Sequence, residues 1–247
     1  LFVGWFSNRN SKYKNNPLTK IDWAKIFFLG IAGYYLASLF DFLGLQYLTA
    51  GLERLILFTY PTFVVLLSLI NGQKISKTIF IALPITYLGI AIAFWGSISF
   101  DNNTNLFLGA SFIFLAAFLF ALYIFGSGTM LKRVGTLRFT SIAMSAAAIA
   151  IITHHAVVHQ LQLFHFQKEV YYLSLLMAII ATALPSFLVA EGIRIIGANR
   201  AAVIGSIGPI STIVLAYFFL GESFGSLEIL GTILVISGVL LISLRKK

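Results

Sequence analysis

The sequence predicts an all-α membrane protein: an inverted repeat of five-helix units, a ten-helix fold of which about eight transmembrane helices lie in this N-terminally truncated chain. Three features predict it. Of 247 residues, 59% are apolar and only 10% charged. The basic residues fall almost entirely on one side of the expected membrane crossings, and residues 33–61 recur at 181–209.

A soluble globular chain carries about 25% charged residues. At 10% charged and a mean hydropathy of +0.95, both a water-soluble domain and a disordered chain are excluded. There are no cysteines, which removes disulfide and thiolate–metal chemistry. A spanning helix needs roughly 20 apolar residues, and this length recurs at 24–47, 52–71, 78–98, 106–126, 137–158, 172–196, 201–220 and 227–244. These windows lack the apolar–polar alternation of an outer-membrane strand. The longest pieces between them, 7–23 and 159–171, are too short for a separate domain, so any function sits within the helix bundle.

Charge sets the orientation. With 7–23 placed in the cytoplasm and eight crossings, the cytoplasmic side collects Arg9, Lys12, Lys14, Lys20, Lys25, Lys74, Lys77, Lys132, Arg133, Arg138, Arg194, Arg200, Arg245, Lys246 and Lys247, while only Arg54 and Lys168 fall outside. Glu53, Asp101, Glu169, Glu222 and Glu228 fall outside as well. Translocating cationic loops is unfavourable, so this bias predicts a multi-pass protein of the cell membrane with a cytoplasmic C-terminus. The net charge of +9 is thereby topological, and nucleic acid drops out as a partner.

The repeat adds symmetry. A shift of 148 residues aligns Leu36, Ser38, Gly44, Ala50, Ile56 and Pro61 with Leu184, Ser186, Gly192, Ala198, Ile204 and Pro209 without a gap. The helix at 24–47 runs outward and its copy at 172–196 runs inward, so the copies, 1–100 and 104–247, are inverted in the membrane. Inverted repeats are a feature of transporters, in which exchanging the two copies' conformations opens a site to alternate sides. Leu1–Phe6 aligns with 149–154, so the chain is expected to lack one helix and most of a second, leaving an apolar groove where they would pack.

The run GYYLASLFDFLGLQYLTAGLERLILFTYPTFVVLLSL (33–69) resembles the first repeat of the drug/metabolite transporter superfamily, EamA-like branch. The run AEGIRIIGANRAAVIGSIGPISTIVLAYFFLGE (190–222) resembles the second, including its closing Gly-Glu; the first-repeat counterpart is Gly72-Gln73, which lacks that charge. The resemblance implies a ten-helix exporter or exchanger of small metabolites, and it specifies no substrate.

Ionisable groups within the hydrocarbon cost at least about 2.5 kcal/mol near the helix centre, so Asp41, Glu191 and Arg194 lead the candidates. Asp41 shares a helix face with Gly30, Gly33, Ala37 and Gly44, a stripe that admits either a neighbouring helix or a ligand. Its repeat equivalent is Val189, so symmetric packing does not require an acid there. Glu191 and Arg194 are three residues apart and can pair on one helix face. Tyr34, Ser38, Tyr60 and Ser186 offer hydroxyls for substrate or for helix packing. Pro61, Pro84, Pro185 and Pro209 each interrupt a predicted helix, and Pro61 and Pro209 occupy equivalent positions as a candidate hinge. His155 and His159 have metal-ligand spacing but no carboxylate beside them, and neither a metal site nor a cofactor motif is expected.

These residues predict a secondary transporter that exports or exchanges a small metabolite, such as an amino acid or related compound, by alternating access. Its partners are the lipid bilayer, the small-molecule substrate, and a proton or counter-substrate for coupling. The alternative is a non-transporting scaffold, sensor or assembly protein on the same bundle; an enzyme ranks behind both. The topology is directly testable, because the chain has no cysteine of its own. A cysteine replacing Asp101 should react with a membrane-impermeant maleimide added outside and not with reagent confined to the cytoplasmic side.

Overall fold

The computed structural model describes residues 18–72, 77–98, 105–160, 166–205, 218–219, 221 and 225–244. Every regular element among them is helical: α1 Lys20–Gly44, α2 Ala50–Leu57, α3 Tyr60–Ile70, α4 Lys77–Ile98, α5 Leu106–Val134, α6 Thr136–His159, α7 Lys168–Ile196, α8 Ala198–Gly205 and α9 Ser226–Leu244. Among the described residues, five stretches are long and apolar enough to cross a membrane: α1, α2 with α3, α5, α6 and α7. Shorter apolar windows, Pro84–Ala93 and Ser226–Gly238, lie in α4 and α9. Of the predicted span 201–220, only the part within α8 and residues 218–219 is described; Pro209 lies outside the described residues.

Local chemistry moves several ends away from the hydropathy windows. Helix α1 begins at Lys20 rather than 24 because Thr19 and Asp22 form a capping box. The Asp22 N–H donates to Thr19 Oγ1 at 3.3 Å, and the Thr19 N–H donates to Asp22 Oδ2 at 2.9 Å, satisfying two amides that the helix start would leave open. Helix α5 runs eight residues past 126, which carries Lys132 and Arg133 into its last turn, where cations complement the helix dipole. One residue, Gly135, separates α5 from α6. Its φ of +82° lies where a side chain would be strained, so glycine makes the reversal possible.

Of the described prolines, Pro84 alone stands in an uninterrupted helix. Pro84 lies inside the continuous helix α4. Pro61 sits in the first turn of α3, a position that needs no amide donor; the break in this span is the turn at 58–59 just before it. Pro185 likewise falls in the first turn of the α-helical end of α7 and follows a π-helical segment, Met177–Ala183. There the Leu184 N–H bonds to Ile179 O, five residues back. Helix α1 contains a π segment too, Ile31–Leu36. Shifted by the 148-residue repeat, that segment lands on 179–184, so the two widened turns overlap in register.

The described residues divide into two compact units. The first runs to Tyr35 and from Gly126 to Ala198; the second spans Leu36–Phe125 and continues from Asn199. In the first, α1 packs on α6 at Gly30, where a Cβ would stand 2.3 Å from Ala143 O. An open apolar groove of about 480 Å³ lies along the same pair, lined by Phe27, Ile31, Tyr35, Ile149, Thr153 and His154. In the second, α4 and α9 meet backbone to backbone at Gly89 and Gly231, where added Cβ atoms would lie 2.6 and 2.4 Å from the facing glycine's carbonyl oxygen. A core of Leu52, Ile56, Ile90, Ala93, Ile113 and Val235 surrounds that contact.

A methyl group at either contact meets backbone that cannot step aside, so Gly30→Ala and Gly89→Ala should each destabilise the purified protein by about 1–3 kcal/mol. Thermal unfolding in detergent measures this. Gly192→Ala, with nothing within 4 Å of its Cβ, should be close to neutral and serves as the control.

Candidate functional site

In the first unit the predicted Glu191–Arg194 pair forms and gains a third member. Arg194 Nε donates to Glu191 Oε2 at 2.9 Å, and a second guanidinium nitrogen bonds to Oε1. Thr136 Oγ1 donates to the same carboxylate from the start of α6. Spacing along α7 foretold the pair; nothing local to the sequence placed Thr136, 55 residues away, beside it. Glu191 and Arg194 are each about one-third exposed, so the three groups tie the end of α7 to the start of α6 at the rim of the bundle. A second cross-link was not foreseen. The buried Asp22 accepts from Arg133 at 2.8 Å and so joins the start of α1 to the end of α5. Ser186 is buried and spends its hydroxyl on Thr182 O at 2.6 Å. Tyr34 is half-buried in the π segment of α1, and its neighbour Tyr35 sets its ring edgewise on His154, 5.8 Å between centroids, at the groove.

In the second unit Asp41 is half-buried on α1, one turn beyond the exposed Ser38. Its Oδ1 is buried with no hydrogen-bond partner among the described residues. Tyr60 is buried, donates to Ala202 O at 2.9 Å, and packs edge-on against Phe120 at 5.0 Å. Ser68 donates to Asn199 Oδ1 at 3.2 Å, so two hydroxyls fasten α3 to α8.

Glu53 was passed over. Its place near the edge of the predicted span 52–71 put it among the outside acids. The helix starts at Ala50, capped by Thr49 Oγ1 accepting from the Leu52 N–H at 3.3 Å. Glu53 lies in its first turn, where it is 1% exposed, with Arg54 Nε 3.1 Å from its Oε2. The cap residue Thr49 was the available signal.

Comparison with known proteins gives a consistent result. The family described as "EamA-like transporter family" matches residues 1–95 and 107–244. "Uncharacterized transporter YcbK" of Bacillus subtilis is 32% identical over 209 residues, covering 82% of this chain and 66% of that protein. "Uncharacterized inner membrane transporter YicL" of Salmonella typhimurium is 28% identical over 160 residues, covering 61% and 50%. The chain thus spans between half and about two thirds of these relatives' lengths. A solved structure described as "Crystal structure of protein" aligns with a TM-score of 0.64 at 16% identity over 97% of this chain and 82% of that one, a likeness of fold.

The Thr136 contact generates a test. Removing a hydroxyl that donates to a carboxylate costs about 1 kcal/mol when the acceptor keeps other partners. Thr136→Val should lower the unfolding temperature accordingly, and Thr136→Ser should restore it.

Proposed function

Since the chain belongs to the EamA-like transporter family, we propose that it is part of a secondary transporter that exports or exchanges a small metabolite, an amino acid or related compound, by alternating access. In this reading it is a multi-pass protein with its C-terminus in the cytoplasm. Residues 1–100 and 104–247 are the two inverted copies of a ten-helix fold, and a proton or counter-substrate supplies the energy.

The observation that carries the reading is the register of the two π segments. Ile31–Leu36 and Met177–Ala183 lie at equivalent places in the two copies, each part-way along a spanning helix. A π turn carries an extra residue relative to an α turn, and such turns are frequent at functional sites. Two of them in matching positions suit a mechanism in which the copies exchange conformations. They join Pro61 and Pro209 as candidate hinges; Pro61 stands just after the turn at 58–59 that divides its span.

Asp41 is the leading coupling residue, because its buried Oδ1 has no hydrogen-bond partner among the described residues. Tyr34, Ser38, Glu191 and Arg194 form the next tier. Tyr60 and Ser186 rank lower, since backbone carbonyls already hold their hydroxyls.

Counterflow in proteoliposomes containing the full-length protein and a panel of labelled metabolites tests the proposal. At least one amino-acid-like compound should exchange. Asp41→Asn should abolish coupled flux while leaving the fold intact. Pro185→Ala, which restores an amide donor and lets the α-helix continue through 180–185, should slow exchange without changing which compound is carried. No exchange of any compound by the wild-type protein, or unchanged coupled flux in Asp41→Asn, overturns the corresponding part of the reading.

A further inference from the structure

We propose that the break between α2 and α3 holds a dehydrated monovalent inorganic cation, bound by the hydroxyls of Thr59 and Thr62 and the carbonyls of Leu55 and Phe58. The inference rests on the transporter reading above and adds an ion to it. The break, at 58–59, lies near the middle of the 21-residue span Ala50–Ile70. There the Thr59 N–H donates to Ile56 O at 3.0 Å and the Thr62 N–H to Thr59 O at 2.9 Å. Each bond runs three residues back, so the carbonyls of Leu55 and Phe58 lose the amides that an unbroken α-helix would give them. Leu55 and Phe58 stand four residues before Thr59 and Thr62, which puts the released carbonyls and the two hydroxyls on one face of the span. Both threonines are 0% exposed, and neither hydroxyl has a hydrogen-bond partner among the described residues.

The amides at this break are not free for an anion. Pro61 has none, and those of Thr62 and Phe63 donate to Thr59 O at 2.9 and 3.3 Å. Acceptors are left over at the C-terminal end of α2, where the helix dipole favours positive charge. Unwound carbonyls and helix C-terminal ends at interrupted membrane helices coordinate sodium in transporters. Packing does not demand the hydroxyls, because the equivalents of Thr59 and Thr62 in the second copy are Ile207 and Ile210. A buried hydroxyl left unpaired costs stability relative to an apolar group of similar shape. Neutral oxygens suit a single positive charge, and full burial leaves no place for the body of an organic ammonium. An ion sealed from water is what an occluded state of alternating access requires, and the break is the element that must flex to release it.

Thermal unfolding of the purified full-length protein at constant ionic strength tests this, with sodium chloride, potassium chloride and methylammonium chloride each titrated against choline chloride. The wild-type protein should gain stability saturably with sodium or potassium. Thr59→Val and Thr62→Val keep the side-chain shape without the hydroxyl, and each should raise the half-saturating concentration by about tenfold or more. Thr62→Ser, which keeps the hydroxyl, should respond as the wild type does. Hydroxyls that simply lack a partner predict another pattern: both valine variants more stable than wild type in every salt, with an unchanged cation response, and that result overturns the proposal. Absence of any cation-specific shift in the wild type, or a shift with methylammonium alone, overturns it as well. Where a valine variant does not fold, Thr59→Ala or Thr62→Ala reads the same titration. Counterflow in the wild type without a cation shift defeats this inference and leaves transport standing; a cation shift without counterflow of any compound defeats transport and leaves the site in place.

Discussion

In a chain where almost every surface is apolar, burying apolar area does not decide which helix packs against which, because lipid offers the same environment as a neighbouring leucine. The choice falls to places where two backbones can come closer than side chains allow. Gly89 against Gly231 and Gly30 against Ala143 are such places, with distances that leave no room for one methyl group. Close approach multiplies dispersion contacts along the seam, each small and together large. The surrounding leucines and isoleucines then fill what the glycines define. Helix α7 is the contrast: its residues from Lys168 to Thr182 are all exposed among the described residues.

The polar side chains follow a second logic. Hydroxyls return to the carbonyl one turn back, as Ser111, Ser145, Thr153 and Ser237 do, which satisfies them inside their own helix and demands nothing of neighbours. Carboxylates cannot do this. Asp22 takes Arg133 and its own cap; Glu191 takes Arg194 and Thr136; Glu53 takes Arg54. Asp41 keeps a buried oxygen with no hydrogen bond among the described residues. The first two join the ends of separate helices, α1 to α5 and α7 to α6.

Much of the architecture was legible in the sequence because the bilayer imposes a length on each helix, and hydropathy reports that length directly. The ends were less legible. Thr19 and Thr49 shift two starts by a few residues through single capping bonds that a window average dilutes. Hydropathy gives no sign either that Glu53, near the outer edge of its span, is fully buried. Of the site, the Glu191–Arg194 pair could be read because both partners lie on one helix at a fixed spacing. Thr136 could not, because its approach depends on how α6 meets α7. The π segments left no compositional mark that distinguishes them: Pro185 stands beside one, while Ala37 holds the equivalent place beside the other.

The single-residue link at Gly135 leaves α5 and α6 no slack. An added residue there has no loop to absorb it, so it would displace one helix along or about its axis, and with it either the Arg133–Asp22 or the Thr136–Glu191 contact. The spacing between those two contacts is thus held by chain length alone.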